Sequence, residues 1–115
     1  MKHENFKVFQ LANGQMFSGE IDEFIKSGLT LKSLSLTELP PDIGGLLVSI
    51  GYTNDKTEDK YQLKVVNLCS VYQLDHIEYE LNLCSSEFDG IICQDMAVLN
   101  GTDVIATFLV IEQVS

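Results

Sequence analysis

Apolar and polar residues alternate at every second position in at least five separate segments of this chain, a pattern that narrows the available folds more than any other feature. The clearest case sets Ile77, Tyr79, Leu81 and Leu83 against His76, Glu78, Glu80 and Asn82, which reads as a strand with one face in the core and one in water. Phe6-Lys7-Val8-Phe9-Gln10-Leu11 and Gln15-Met16-Phe17 flank Asn13-Gly14, a pair that tolerates positive φ and closes hairpins. A second pair, Asn100-Gly101, separates Ile91-Ile92-Cys93 through Leu99 from Val104-Ile105-Ala106-Thr107-Phe108-Leu109-Val110-Ile111. The near-continuous apolarity of that last run predicts a strand buried on both faces.

Between these landmarks the strands are less regular. Leu29-Thr30-Leu31 and Leu34-Ser35-Leu36 alternate but fall out of phase at Lys32-Ser33, as one bulged residue in a bent strand requires. Pro40-Pro41-Asp42 marks a connection, since proline cannot donate to a ladder. The apolar segment 45–52 and the segment 61–68 are expected to pair as a hairpin across the polar loop 53–60. Residues 18–28 read two ways. Ser18 can cap a short helix that ends at Lys26 and Gly28, with Ile21, Phe24 and Ile25 at helical spacing. Alternatively the strand continues, with Phe17, Gly19 and Ile21 on one face. Asn67-Leu68-Cys69-Ser70 recurs as Asn82-Leu83-Cys84-Ser85, but no period continues from it and it is not read as a repeat. The expectation is one mainly β domain over residues 1–115, of seven or eight strands in an antiparallel barrel or sandwich, with at most one short helix.

Charge bounds the partners. The chain carries 17 acids against 7 lysines and no arginine, a net charge of −10. No base follows Lys64, so residues 65–115 hold eight carboxylates and no cation. Nucleic-acid binding draws on Lys and Arg to displace phosphate counterions, so a nucleic-acid partner is not expected. A partner with a basic face suits the imbalance. No apolar run approaches the length of a membrane helix, and no secretory leader opens the sequence, so a cytoplasmic, non-membrane protein is expected. Cys69, Cys84 and Cys93 are odd in number and form no Cys-x-x-Cys pair, and they read as reduced, mostly buried thiols.

The stretch Leu11-x-Asn13-Gly14-x-x-Phe17-x-Gly19-x-Ile21-x-x-Phe24 resembles the first signature of Sm-like proteins, small five-stranded barrels that assemble into rings and often bind RNA. The resemblance implies a barrel over residues 5–74, related in shape to SH3-like barrels. Asn13-Gly14 would turn strand one into strand two, and Gly19 would let strand two bend. Residues 76–115 would then be a C-terminal β extension packed on the barrel. The family's RNA-contacting Asp is replaced by Ile25, its following Asn is missing from Lys26-Ser27-Gly28, and no Ile-Arg-Gly-type second signature joins strands four and five. What carries over is therefore a fold and a mode of assembly, not RNA binding.

The chemistry-bearing residues form no catalytic pattern. On a strand, His76, Glu78 and Glu80 would share a face at intervals of about 6.5 to 7 Å, too spread to converge on one metal ion but suited to docking a basic partner. Asp55, Glu58 and Asp59 lack the order of a calcium loop, and Gly44-Gly45 leads into a strand without a phosphate-binding Lys. The cysteines sit among strand apolars, where a thiol is inert. No catalytic residue, metal or cofactor is expected. The function expected is a non-enzymatic binding or assembly module with a protein partner, self-associating through strand edges. The alternatives are an acidic inhibitor or nucleic-acid mimic that docks on a basic protein surface and, as a lesser reading, a small hydrolase or isomerase using His76.

Overall fold

A computed structural model of the chain describes residues 4–11, 19–69, 73–99 and 103–112, with the side chains of Cys69 and Leu99 outside that set. The elements run β1 (Asn5–Leu11), α1 (Gly19–Ile25), β2 (Leu29–Glu38), β3 (Leu46–Lys56), β4 (Tyr61–Cys69), α2 (Leu74–Glu87), β5 (Ile91–Leu99) and β6 (Asp103–Ile111). The protein is mainly β, and the strands form two antiparallel three-stranded sheets ordered β1-β3-β2 and β4-β6-β5. Strand, helix, strand, strand is thus used twice, and each time the last strand lies in the middle of its sheet.

Neither sheet closes on itself, so the described strands stack as open sheets and do not form a barrel. The inner face of the first sheet, with Phe9, Leu36, Val48 and Ile50, meets Tyr61, Leu63 and Leu109 of the second. Helix α1 buries Ile21 and Ile25 in the same core, with Phe24 against Phe9 and Tyr52. The other face of the second sheet holds Leu68, Val104, Ala106, Phe108 and Val110 under Ile77 and Cys84 of α2.

Several expectations are met. Lys32 is the extra residue of a bulge, since Leu31 opposes Tyr52 and Ser33 opposes Gly51. Strand β6 is the central strand of its sheet and is buried from Val104 to Val110 except at Ile105. Pro40 opens the turn between β2 and β3, with its carbonyl accepting from Ile43 and Gly44 N–H. Within the segment read two ways, Gly19–Ile25 is helix. Gly28 ends it at φ 89, a conformation that costs glycine nothing.

Others are corrected. The segment carrying His76, Glu78 and Glu80 is helix α2, because Ile77, Leu81 and Cys84 lie at i, i+4 and i+7 and face the sheet together. The chain therefore has two helices among the described residues, not one. β3 and β4 do not pair as a hairpin. β3 runs through Lys56 and pairs with β1 and β2, and residues 57–60 cross to the other sheet. Gly19 begins α1 and does not bend a strand. With α1 in place, the described chain lacks the bent second strand on which the Sm-like resemblance depends. Asn13-Gly14, the segment Gln15-Met16-Phe17, Ser18 and Asn100-Gly101 lie outside the described residues; Leu99 pairs with Asp103. The echo at Asn67 and Asn82 joins a strand end to a helix, so it is not the structural repeat.

Candidate interaction surface

The two sheets differ in what covers their outward faces. On the first, alternate residues of β1, β3 and β2 point away from the core: Phe6, Val8 and Gln10; Leu47, Ser49 and Gly51; Ser33, Ser35 and Thr37. Phe6 is 62% exposed, Val8 53% and Leu47 37%. Val8 opposes Ser49, and Leu47 opposes Gln10, so Val8 and Leu47 are diagonal neighbours within reach of one another. None of these nine residues is charged.

Gly51 lets a polar side chain lie across this face. The Ser33 hydroxyl donates to Glu4 Oε1 at 2.8 Å, and a Cβ at position 51 would overlap both side chains. The bridge spans the central strand from one edge of the sheet to the other.

The edges differ as well. β2 is an edge strand, but its Leu36 N–H donates to Asp95 Oδ2 at 2.7 Å and its Leu31 N–H to the Tyr61 hydroxyl at 3.3 Å. Side chains of the second sheet thus occupy groups that an incoming strand would use. Among the described residues nothing bonds to the outer edge of β1. Beside that edge runs an open groove of about 400 Å³, floored by Phe9 and Phe24 and rimmed by Lys7, Glu20 and Glu23.

A larger cleft of about 550 Å³ lies where the halves join, between the end of α1 and residues 57–62. Its walls mix Lys26, Lys60, Glu58 and Glu112 over Ile25 and Tyr61. The Lys26 ammonium pairs with Asp22 at 3.1 Å, and the Tyr61 hydroxyl already accepts from Leu31. Among the described residues the lining of the cleft includes no cysteine or histidine.

His76, Glu78 and Glu80 do not share a face. Two residues apart on a helix point about 200° apart, so Glu78 diverges from both, while His76 and Glu80 are i and i+4 neighbours. Cys84 is buried under α2, and burial, with Glu87 and Glu80 nearby, pushes its thiol up from the usual value. Cys93 is half-buried and raised by burial and by Asp95. Both thiols are free and far from the thiolate form at neutral pH. Among the described residues no group of three or more His, Cys, Asp or Glu could hold a metal ion, and no helix is long and apolar enough to cross a membrane.

The exposed pair Phe6 and Val8 escaped the sequence reading, which treated β1 as one arm of a hairpin. A signal was present: Phe6 and Val8 share one parity and Phe9 and Leu11 the other, so this edge strand is apolar on both faces. No family model matches the chain, nor does any curated protein or solved structure.

Proposed function

We propose that the chain is a non-enzymatic assembly module that self-associates through the outward face of the β1-β3-β2 sheet. The observation that carries this reading is a face with Phe6, Val8 and Leu47 exposed and, among the described residues, a single charge, Glu4, tied to Ser33, on a chain of net charge −10. Two copies repel one another over most of their surface, and a sheet face with so little charge is where a second copy approaches at least electrostatic cost. A twofold axis over the face sets Phe6 and Val8 of one copy against Leu47 of the other, an arrangement open to any self-complementary patch.

Size sets the expected strength. Three strands about 4.8 Å apart and seven residues of about 3.3 Å rise make a patch of roughly 14 by 23 Å. That lies below a standard interface, so association belongs to the weak, concentration-dependent class. Light scattering from about 10 μM to 1 mM tests it, the range where weak interfaces populate. The weight-average mass should rise from monomer towards dimer, and Phe6→Asp with Val8→Asp should hold it at monomer. A wild-type chain that stays monomeric throughout contradicts the reading.

A further inference from the structure

We propose that the groove between β1 and α1 is a second, separate docking site that takes an extended, basic segment of another protein as a fourth strand on the edge of the first sheet. Strand addition needs an edge whose N–H and C=O groups are unoccupied, and beside it a channel for the side chains of the incoming strand. In the first sheet, one edge combines the two among the described residues. The β2 edge is blocked by Tyr61 and Asp95. The β1 edge accepts no described partner and borders the groove of about 400 Å³.

The chemistry of the groove defines the occupant. An added strand lies about 4.8 Å from β1 and turns alternate side chains inward, about 6.6 Å apart. One inward position falls on the Phe9 and Phe24 rings, whose centroids are 5.7 Å apart, and takes an apolar side chain. The next reaches Glu20 and Glu23, which sit three residues apart on one face of α1 and form no ion pair with a described residue. Lys7 is the single cation on the rim among the described residues, where the acids outnumber it and the position favours Lys or Arg. A second copy of this chain is a poor occupant because it brings ten more net negative charges.

The probe is a blocked nine-residue peptide with threonine at the odd positions and valine and lysine taking turns at the even ones, so that both meet the groove from one face of the strand. Its controls are the valine–glutamate counterpart and a valine–lysine peptide N-methylated at alternate amides. Amide exchange and chemical shifts are read on the full chain at the low end of the concentration series, where light scattering reports monomer, so that self-association through the outward face does not contribute. The valine–lysine peptide should slow exchange across β1 and shift Lys7, Phe9, Glu20 and Phe24, and added salt should weaken it. Glu20→Gln with Glu23→Gln should lower its affinity roughly fivefold, as loss of two exposed ion pairs does. Three results would each overturn the proposal: β1 amides as protected in the free chain as those of central β3, equal binding of the glutamate peptide, or equal binding of the N-methylated peptide.

Discussion

The halves of this molecule run through the same order of elements and arrive at different surfaces. α2 has 14 residues, about 21 Å of helix, and lies along strands of nine residues so that most of the far face of the second sheet is covered, with Met96 of β5 left 38% exposed. α1 has seven residues, about 10 Å, and packs on the inner face of the first sheet beside the second sheet. A helix of that length cannot cover three strands, and its position leaves the outward face open. Topology alone therefore does not decide which faces are buried; the length and placement of the connecting helix do. The charges follow suit. The exposed side of α2 carries Asp75, Glu78 and Glu87 around Tyr79 and Leu83, whereas the open sheet face carries only Glu4 among the described residues, held by Ser33.

The sharpest way to break the comparison is to truncate one aromatic in each half. Phe108 is 2% exposed between α2 and its sheet and packs edge-on against Phe88. Phe108→Ala should cost about 3 to 5 kcal/mol in denaturant unfolding. Phe6→Ala, on the open face, should change stability by less than about 0.5 kcal/mol at concentrations where the chain is monomeric. Similar losses at both sites would mean the open face is covered in solution.

The joint between the halves comes next. Asp95→Ala removes the acceptor of the Leu36 N–H and frees the β2 edge, which should cost about 1 to 3 kcal/mol and raise aggregation on storage. An unchanged midpoint would show that the contact does not hold the halves together.

A pH effect separates the thiols of the second half from an exposed cysteine. Cys84 and Cys93 are raised above the ordinary 9.0, so the folded chain holds its proton where the unfolded chain loses it. Their contribution is complete below the unfolded value and is lost as pH rises through the folded values. Stability should fall above about pH 9, and Cys84→Ala with Cys93→Ala should flatten that limb. Labelling of Cys84 by a thiol reagent at pH 7 should be slow, because the group is buried and protonated.

The smallest effect belongs to Gln94, whose side-chain nitrogen is buried without a hydrogen-bond partner. Gln94→Leu should raise stability by about 1 kcal/mol, since an unsatisfied donor is removed.

Much of the strand framework was legible because sterics write it locally. The Lys32 bulge shows as a phase slip, the double burial of β6 as a continuous apolar run, and the turn at Pro40 as a missing donor. The helix α2 was misread because its sequence satisfies two periods at once. Ile77, Tyr79, Leu81 and Leu83 alternate as a strand should, but Ile77 and Cys84 are buried while Tyr79 and Leu83 are exposed. Ile77 is the lone β-branched residue from Leu74 to Glu87, and the Leu and Glu content favours helix, a signal that could have decided the matter. The misplaced hairpin has another cause. A polar connection such as 57–60 does not reveal whether the next strand pairs with the last or starts a new sheet, since that depends on long-range contacts. His76, Glu78 and Glu80 lost their common face because the segment is helix, which turns Glu78 away from the other two. The open face was hidden because exposure of Phe6, Val8 and Leu47 depends on where a helix lands, which no local pattern records.

The contact between copies can be observed directly. In a mixture of isotope-labelled and unlabelled chains at about 1 mM, where a weak interface is populated, filtered nuclear Overhauser spectra report only protons that meet across copies. Cross-copy signals should join the Phe6 ring and Val8 methyls to Leu47 and be absent at Ile77 and Val104 beneath α2. Cross-copy signals at Tyr79 and Leu83 with none at Phe6, Val8 or Leu47 would contradict the assignment of the open sheet face as the surface on which this chain assembles.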